Sequence, residues 1–353
     1  FNNEITGRDA ESFIYPRETG RLMTIIIFFS LLLSYRPSLI HVNSYNEKTL
    51  DILATATLLK RLFTFNVILT QHLKFFFDNA EHGITQFKKS SFFKYPLRHV
   101  RWHMREYWKA RCILGHIDKI IFVNYEYCEK YRNLLKLDAY KVSSIINGID
   151  TDKFRPGILS VEDIRKYRQE YGLSTSDFVI IGVGNLIQQK RFDIFIEVLC
   201  KVIQKGCPVK GLIVGAGPLE EGLKKLASQK GISDSIIFAG YQTEIPTLMN
   251  IADCLLMTSD DEGLPYALLE ARASGLAAVA TNVGGICRVI NHENDGCVAE
   301  PGDVNELCNN LMSLVINKEQ RKCMGLLARH DTIERFSLKK MQEETKEAFK
   351  EVL

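Results

Sequence analysis

Short apolar runs recur through the second half of the chain at regular intervals. They are Phe178–Val183, Lys210–Val214, Ser235–Ala239, Asp253–Met257, Ala277–Thr281 and Gly296–Ala299. Runs this short and continuous predict strands buried on both faces. The segments between them carry helical periodicity. Strand alternating with helix predicts an α/β unit with a parallel sheet covered on both sides, and such sheets take ligands at the carboxyl ends of their strands. The first half reads the same way, less regularly. A helix is expected over 17–34, and a strand over Ser38–Val42 follows the breaker Pro37. A helix over Asn46–Arg61, a strand over Asn66–Thr70, and strands over Asp118–Asn124 and Val142–Asn147 come next. The turn-rich stretch N-G-I-D-T-D-K-F-R-P then places a linker at about 150–160. The expected organisation is a domain over 1–155, a second over 156–335, and a charged amphipathic helix over 336–353.

Composition narrows the function classes. With 353 residues, 46% of them apolar and 25% charged, two cores of ordinary size are expected. A net charge of +3 does not indicate nucleic acid. The nine cysteines form no C-x-x-C pair, and several sit in apolar helices or strands, which reads as buried reduced thiols and so as a cytoplasmic setting. The apolar run Met23–Leu33 is well short of the ~20 residues that span a bilayer. Residues 86–111 stand apart: eight Lys/Arg against one Glu, with both tryptophans of the chain. Arg98, Arg101, Arg105 and Lys109 share one helical face, and Val100, Met104, Tyr107 and Trp108 share another. That pattern suits an anionic membrane surface, with the protein peripheral on the inner face, and equally a solvated basic helix. His99 and His103 stand four apart, but no acid or Cys accompanies them, so a zinc site is not expected.

The richest stretch is Ser259–Gly285, S-D-D-E-G-L-P-Y-A-L-L-E-A-R-A-S-G-L-A-A-V-A-T-N-V-G-G. Pro265 is placed to open a helix in its first turn, and Gly275 to end it in a left-handed cap. Free amides at that helix start, after Gly263, favour an anion. Gly284 and Gly285 allow a close backbone approach. Glu262 and Glu270 flank the helix start with seven residues between them. Eight helical steps span ~12 Å and rotate by about 80°. That separation suits two ends of one long ligand better than a glycosidase acid–base pair around one bond. V-G-A-G-P-L-E at Val214–Glu220 lacks the third glycine of a dinucleotide fingerprint, so it reads as a backbone turn near a nucleotide.

The spacing E-G-L-P-x-x-L-L-E-A-x-A-x-G, followed by V-A-T-x-V-G-G, resembles the donor-site signature of the retaining glycosyltransferases of family 4. The resemblance implies a GT-B fold, two Rossmann-like domains facing a cleft, with the first domain on the acceptor side and the final helix packing back across the junction. It implies a nucleotide-diphosphate sugar as co-substrate; Asp260 and Asp261 are adjacent rather than spaced as Asp-x-Asp, so no metal or other cofactor is expected. The sugar moves with retention to a saccharide or lipid-linked acceptor, as in polysaccharide or glycolipid synthesis. By the same resemblance Glu262 contacts the sugar hydroxyls and Glu270 the ribose. The backbone from Gly263 through Leu264 and Pro265 to Tyr266 meets the diphosphate. Lys190, in V-G-N-L-I-Q-Q-K, offsets the leaving group's charge, and a solvated lysine at a helix start is the alternative. Asn185 stands where the family carries a second cation. Gly215 belongs to the nucleotide-side turn, Tyr241 either stacks on or flanks the base or is a surface tyrosine in a loop, and the resemblance makes His72 at a strand end a residue facing the sugar, with a satisfied structural histidine as the alternative. The family's first strand and glycine loop are expected before Phe1, which makes this an incomplete or divergent chain. Two alternatives accompany the transferase: a sugar-nucleotide epimerase of the same fold, and a non-catalytic nucleotide-sugar binder.

Overall fold

A computed structural model describes residues 39–44, 53, 56–57, 60, 66–71, 107–108, 110–123 and 125–353. The helix expected over 17–34, His72, and the basic stretch from 86 to 106 lie outside the described residues. The chain divides into two compact units, 1–146 with 341–353, and 147–340.

The first unit is a parallel sheet of β1 (Leu39–Ser44), β2 (Asn66–Gln71), β3 (Lys119–Phe122) and β4 (Val142–Ser144), in that order. Alternate strand residues point to opposite faces. Val67, Leu69, Ile120 and Phe122 therefore pack on one side, with Leu114, Ile117 and the helix α1 (Tyr125–Leu135). Phe122 stacks on Tyr131 at 5.6 Å. Ile68, Ile121 and Ile145 face the other side, which the chain's last residues cover through Ala348, Met341, Phe349 and Val352. Polar contacts fix the tail to the starts of two strands. Asn66 Nδ2 donates to the Val352 carbonyl at 2.7 Å, and the buried Lys119 ammonium meets Glu351 at 2.5 Å.

The second unit has six parallel strands: β5 (Phe178–Val183), β6 (Val209–Val214), β7 (Ile236–Gly240), β8 (Cys254–Met257), β9 (Ala277–Thr281) and β10 (Cys297–Ala299). Their spatial order is β10-β9-β8-β5-β6-β7. The winding reverses between β5 and β8, which is where a doubly wound sheet opens a crevice at its carboxyl edge. The helices are α2 (Val161–Glu170), α3 (Phe192–Gln204), α4 (Glu220–Gln229), α5 (Ile245–Ile251), α6 (Tyr266–Ala273), α7 (Ile286–Val289), α8 (Val304–Ile316), α9 (Lys318–Phe336) and α10 (Leu338–Lys350). From Met341 on, α10 belongs to the first unit. The core is apolar, with Ile180, Phe195, Leu199, Ile213, Val279 and Leu311 fully buried. Strand edges fall within one or two residues of those expected. Asp253 lies just before its strand, and its carboxylate accepts from the Val179 amide and from Arg168.

Helix α6 ends as its sequence demands, with Ser274 as cap and Gly275 at φ +77°. Its start differs from expectation. Pro265 is the cap residue, at φ −73°, and Tyr266 opens the helix. Gly325 in α9 lies against this C-terminus: a Cβ there would sit 2.1 Å from the Gly275 carbonyl oxygen. Gly222 in α4 has nothing within 4 Å of the equivalent point. Helix propensity alone favours alanine over glycine at both by about 1 kcal/mol. Gly222→Ala should therefore raise the thermal midpoint. Gly325→Ala should lower it, because overpacking at about 1–3 kcal/mol exceeds the propensity gain. Thermal unfolding of the two variants checks this, and a stabilised Gly325→Ala would disprove the close packing of α9 on α6.

Candidate functional site

Two loops leave the strands that flank the switch point. The loop after β5 runs from Gly184 through a 3₁₀ turn, Gln188–Lys190, to Arg191. The loop after β8 runs from Thr258 to Pro265. Leu186 is fully buried and anchors the first loop. Its amide donates to the Ala216 carbonyl at 3.0 Å. Gly215, at φ +140°, lies where a Cβ would stand 1.9 Å from the Gly184 carbonyl oxygen. The glycine run after β6 thus serves as a support under the β5 loop.

Lys190 and Glu262 come together here. Lys190 extends across Gly184, its Cδ and Cε 3.6 Å from the point where a Cβ on that glycine would be. Its Nζ donates to Glu262 Oε1 at 2.5 Å. Ser259 Oγ donates to the same oxygen at 2.7 Å. Thr281, at the end of β9, donates to the Ser259 carbonyl at 2.6 Å. Glu262 is 7% exposed, and the Lys190 side chain 23%. Among the described residues none donates to Glu262 Oε2. One carboxylate oxygen is fully used, and the other is left to accept.

The second glycine loop proves to be internal support. A Cβ on Gly284 would stand 1.8 Å from the Glu262 carbonyl oxygen, and one on Gly285 2.0 Å from that of Gly263. The Gly285 amide donates to the Glu262 carbonyl at 3.2 Å. The close approach that these glycines permit is to the Glu262–Gly263 backbone.

Glu270 sits on α6, and no described side chain hydrogen-bonds its carboxylate. Burial pushes its pKa above the ordinary 4.5, and the charge of Lys153 pulls part of it back. The helix that carries it is held by Arg272, whose buried guanidinium bonds Asp295 at 3.0 and 3.1 Å and Asp331 at 2.8 Å. Asn185 is exposed on the β5 loop. Tyr241 is 77% exposed just beyond β7, and Tyr266 is half exposed at the start of α6. Gly263 and Leu264 lead from Glu262 into Pro265.

Sequence reasoning missed Ser259, Thr281 and Arg191. Ser259 and Thr281 had no separate signal beyond lying inside the quoted stretch. Arg191 could have been noticed beside Lys190, facing the acidic S-D-D-E run. Its guanidinium bonds Asp193 and Asp260, which hold its pKa above the usual arginine value. Among the described residues no group of three or more His, Cys, Asp or Glu is placed to hold a metal ion, and no helix is long and apolar enough to cross a membrane.

Comparison with known proteins covers the unit that holds this site. Residues 163–331 match the family model of the glycosyl transferases group 1. The N-acetyl-alpha-D-glucosaminyl L-malate synthase of Bacillus anthracis is 30% identical over 191 residues, 54% of this chain and 50% of that protein. The UDP-Gal:alpha-D-GlcNAc-diphosphoundecaprenol alpha-1,3-galactosyltransferase of Escherichia coli is 30% identical over 187 residues, 52% of this chain and 48% of that protein. The chain spans about half the length of these curated relatives. The crystal structure of Anabaena HepE in complex with UDP superposes with a TM-score of 0.73 at 20% identity, over 93% of this chain and 82% of that one. The chain therefore has the GT-B fold, and over residues 163–331 it is similar to the glycosyl transferases group 1.

Proposed function

We propose that this chain is a family 4 glycosyltransferase that takes a nucleoside-diphosphate sugar at the switch point of its second unit and transfers the sugar, with retention, to an acceptor hydroxyl. The observation that carries the reading is the Lys190–Glu262–Ser259 cluster, built from the β5 and β8 loops inside the matched domain. The names of the two relatives, a glycosyl–malate synthase and a galactosyltransferase with a lipid-linked acceptor, support a sugar donor and a saccharide or lipid-linked acceptor.

The proposed roles are those that the resemblance implies, and the contact of Lys190 with Glu262 supports them. Lys190 exchanges Glu262 for a phosphate oxygen and offsets the charge that builds on the leaving group. The start of α6 adds its dipole on the same side. Glu262 accepts a sugar hydroxyl at Oε2, and Glu270 accepts ribose hydroxyls. The departing diphosphate takes the acceptor's proton as the sugar passes through an oxocarbenium-like state. The basic stretch 86–111 is assigned to an anionic membrane surface. At its described end Trp108 is 54% exposed, with the Arg111 guanidinium 5.4 Å from its ring centre. Binding to anionic vesicles should weaken at high salt and vanish in the Arg98, Arg101, Arg105→Gln triple variant; cosedimentation measures both.

Calorimetry with UDP, GDP and their sugar conjugates tests the site. Lys190→Ala should cost roughly 2–5 kcal/mol of nucleotide affinity. Glu262→Gln should weaken the sugar conjugate while leaving the bare nucleoside diphosphate unchanged or tighter, because Lys190 is then no longer held by a carboxylate. Glu270→Ala should weaken both ligands, since both contain the ribose. Equal losses of bare-nucleotide affinity in Glu262→Gln and Glu270→Ala would refute the assignment of one acid to each end of the donor. Turnover that needs no acceptor would identify an epimerase instead.

Acidity gives a separate check on Glu270. Its carboxyl titrates above 4.5 in the free protein because burial disfavours the charge. Ribose hydroxyls require the carboxylate, so affinity should be full at neutral pH and decline as pH falls through that raised value. Glu270→Gln should flatten this acidic limb. A decline of the same size in Glu270→Gln would assign it to another group.

A further inference from the structure

Lys190 is held from both sides by residues outside the proposed chemistry. The Asp260 amide donates to the Gln189 carbonyl at 2.9 Å, and Gln189 Nε2 donates to the Asp261 carbonyl at 2.7 Å. Thr258 Oγ1 donates to the carbonyls of Lys190 and Arg191 at 3.2 and 2.9 Å. Arg191 Nη1 donates to Asp260 Oδ1 and Oδ2 at 3.1 and 3.2 Å. These contacts fasten the turn after β5 to the loop after β8, immediately before and after Lys190.

Arg191 makes the arrangement unusual. Its backbone lies at φ +48° and ψ +45°, a region that favours glycine and disfavours a long side chain. It precedes α3 without capping it through its side chain. Instead Nε bonds both oxygens of Asp193, and Nη2 bonds Asp193 Oδ2 at 2.9 Å. The guanidinium thus joins the first turn of α3 to Asp260.

One reading would make Arg191 the second phosphate cation, in place of the one missing at Asn185. The contacts argue against it. Nε, Nη1 and Nη2 are all committed to carboxylates, and two carboxylates around one guanidinium leave a net negative group. We propose instead that Asp260 is a positioning residue, acting through Arg191 and the 188–191 turn to hold the Lys190 ammonium against Glu262, where a phosphate can take it over. This rests on the donor-site reading for what Lys190 does, but not for where Lys190 is held. The Arg191 and Asp260 side chains are 26% and 44% exposed. An ion pair that open adds little to stability. Catalytic groups, by contrast, are sensitive to displacements of a fraction of an ångström. Loss of Asp260 should therefore move Lys190 without unfolding the protein.

The experiment has a ligand-free arm and a nucleotide arm. In the first, the full chain without nucleotide is acetylated with acetic anhydride, and modification at Lys190 is followed by mass spectrometry. Asp260→Ala and Arg191→Gly should each label Lys190 several-fold faster than the wild type, with the thermal midpoint nearly unchanged. Glycine at 191 suits the left-handed backbone, so that variant removes the side chain, guanidinium included, without straining the turn. The double variant should match the single ones, since both open the same clasp. Asp260→Asn, which retains an acceptor for Arg191, should restore part of the protection and serves if Asp260→Ala folds poorly. In the second arm, Asp260→Ala should bind UDP or GDP three- to tenfold more weakly, and should add nothing in a Lys190→Ala background. Unchanged Lys190 labelling in folded Asp260→Ala and Asp260→Asn would overturn the proposal whatever the nucleotides do. Weaker binding in Arg191→Gly with tighter binding in Asp260→Ala would also overturn it and make Arg191 a phosphate cation. If Lys190→Ala leaves UDP and GDP binding unaltered, the donor-site reading fails while the labelling result still decides the clasp.

Discussion

The candidate site of the second unit depends on the contact between Lys190 and Glu262. Charges taken from water are costly, and they are recovered only by good geometry and further hydrogen bonds. Glu262 is nearly buried, and it receives both Lys190 and Ser259 on one oxygen. Removing either partner would leave a carboxylate short of donors in a poorly solvated place. A pair in this condition suits exchange: a polyanion offers the ammonium an alternative partner, and hydroxyls offer one to the carboxylate. The resting ion pair thus keeps both groups oriented until a ligand offers each a new partner.

Keeping the pair in register requires loops from non-adjacent parts of the chain to approach at backbone distance. The switch point supplies the coarse placement, because β5 and β8 are neighbours in the sheet although far apart in sequence. Glycines supply the fine placement. Gly215 allows the β6 loop under the β5 loop, and Gly284 and Gly285 allow the β9 loop against the β8 loop. At each, a single methyl group would collide with a main-chain oxygen, which cannot swing aside as a side chain can. Glycines therefore let the loops approach at backbone distance, and side chains such as Leu186, Gln189, Thr258 and Arg191 then fasten them.

Much of this was legible in the sequence. Parallel strands buried on both faces announce themselves as short apolar runs, and all six of the second unit were found to within one or two residues. Gly275 was legible because few other residues tolerate its backbone angle. The contact of Lys190 with Glu262 was not, since periodicity says nothing about pairs 72 residues apart. The glycine pair at 284–285 signalled a close approach without saying to what, and its partner is protein backbone. Pro265 suits either the cap or the first turn, and the chain's path into α6 decided for the cap. Arg191 ran against local preference, since it stands where glycine is favoured. Ion pairs with Asp193 and Asp260 offset that cost, and both depend on tertiary structure.

Asn185 bears on how the proposed chemistry is distributed. With a neutral side chain there, and with Arg191 committed to two carboxylates, Lys190 is the cation that the β5 loop presents at the switch point. A helix start contributes only about half a unit of positive charge. A diphosphate leaving group carries more negative charge than one ammonium and one helix start can match. The proposed reaction then leans on placement: a single ammonium must stand where charge develops, and must not relax toward solvent as the bond breaks. Preorganised groups stabilise a transition state more effectively than mobile ones of equal charge. Fixing the turn on either side of Lys190, through Gln189 and Arg191, is the form of preorganisation available to a site with one such cation. On this account the departure at Asn185 and the clasp around Lys190 are linked: a loop that presents less charge has greater need to hold that charge still.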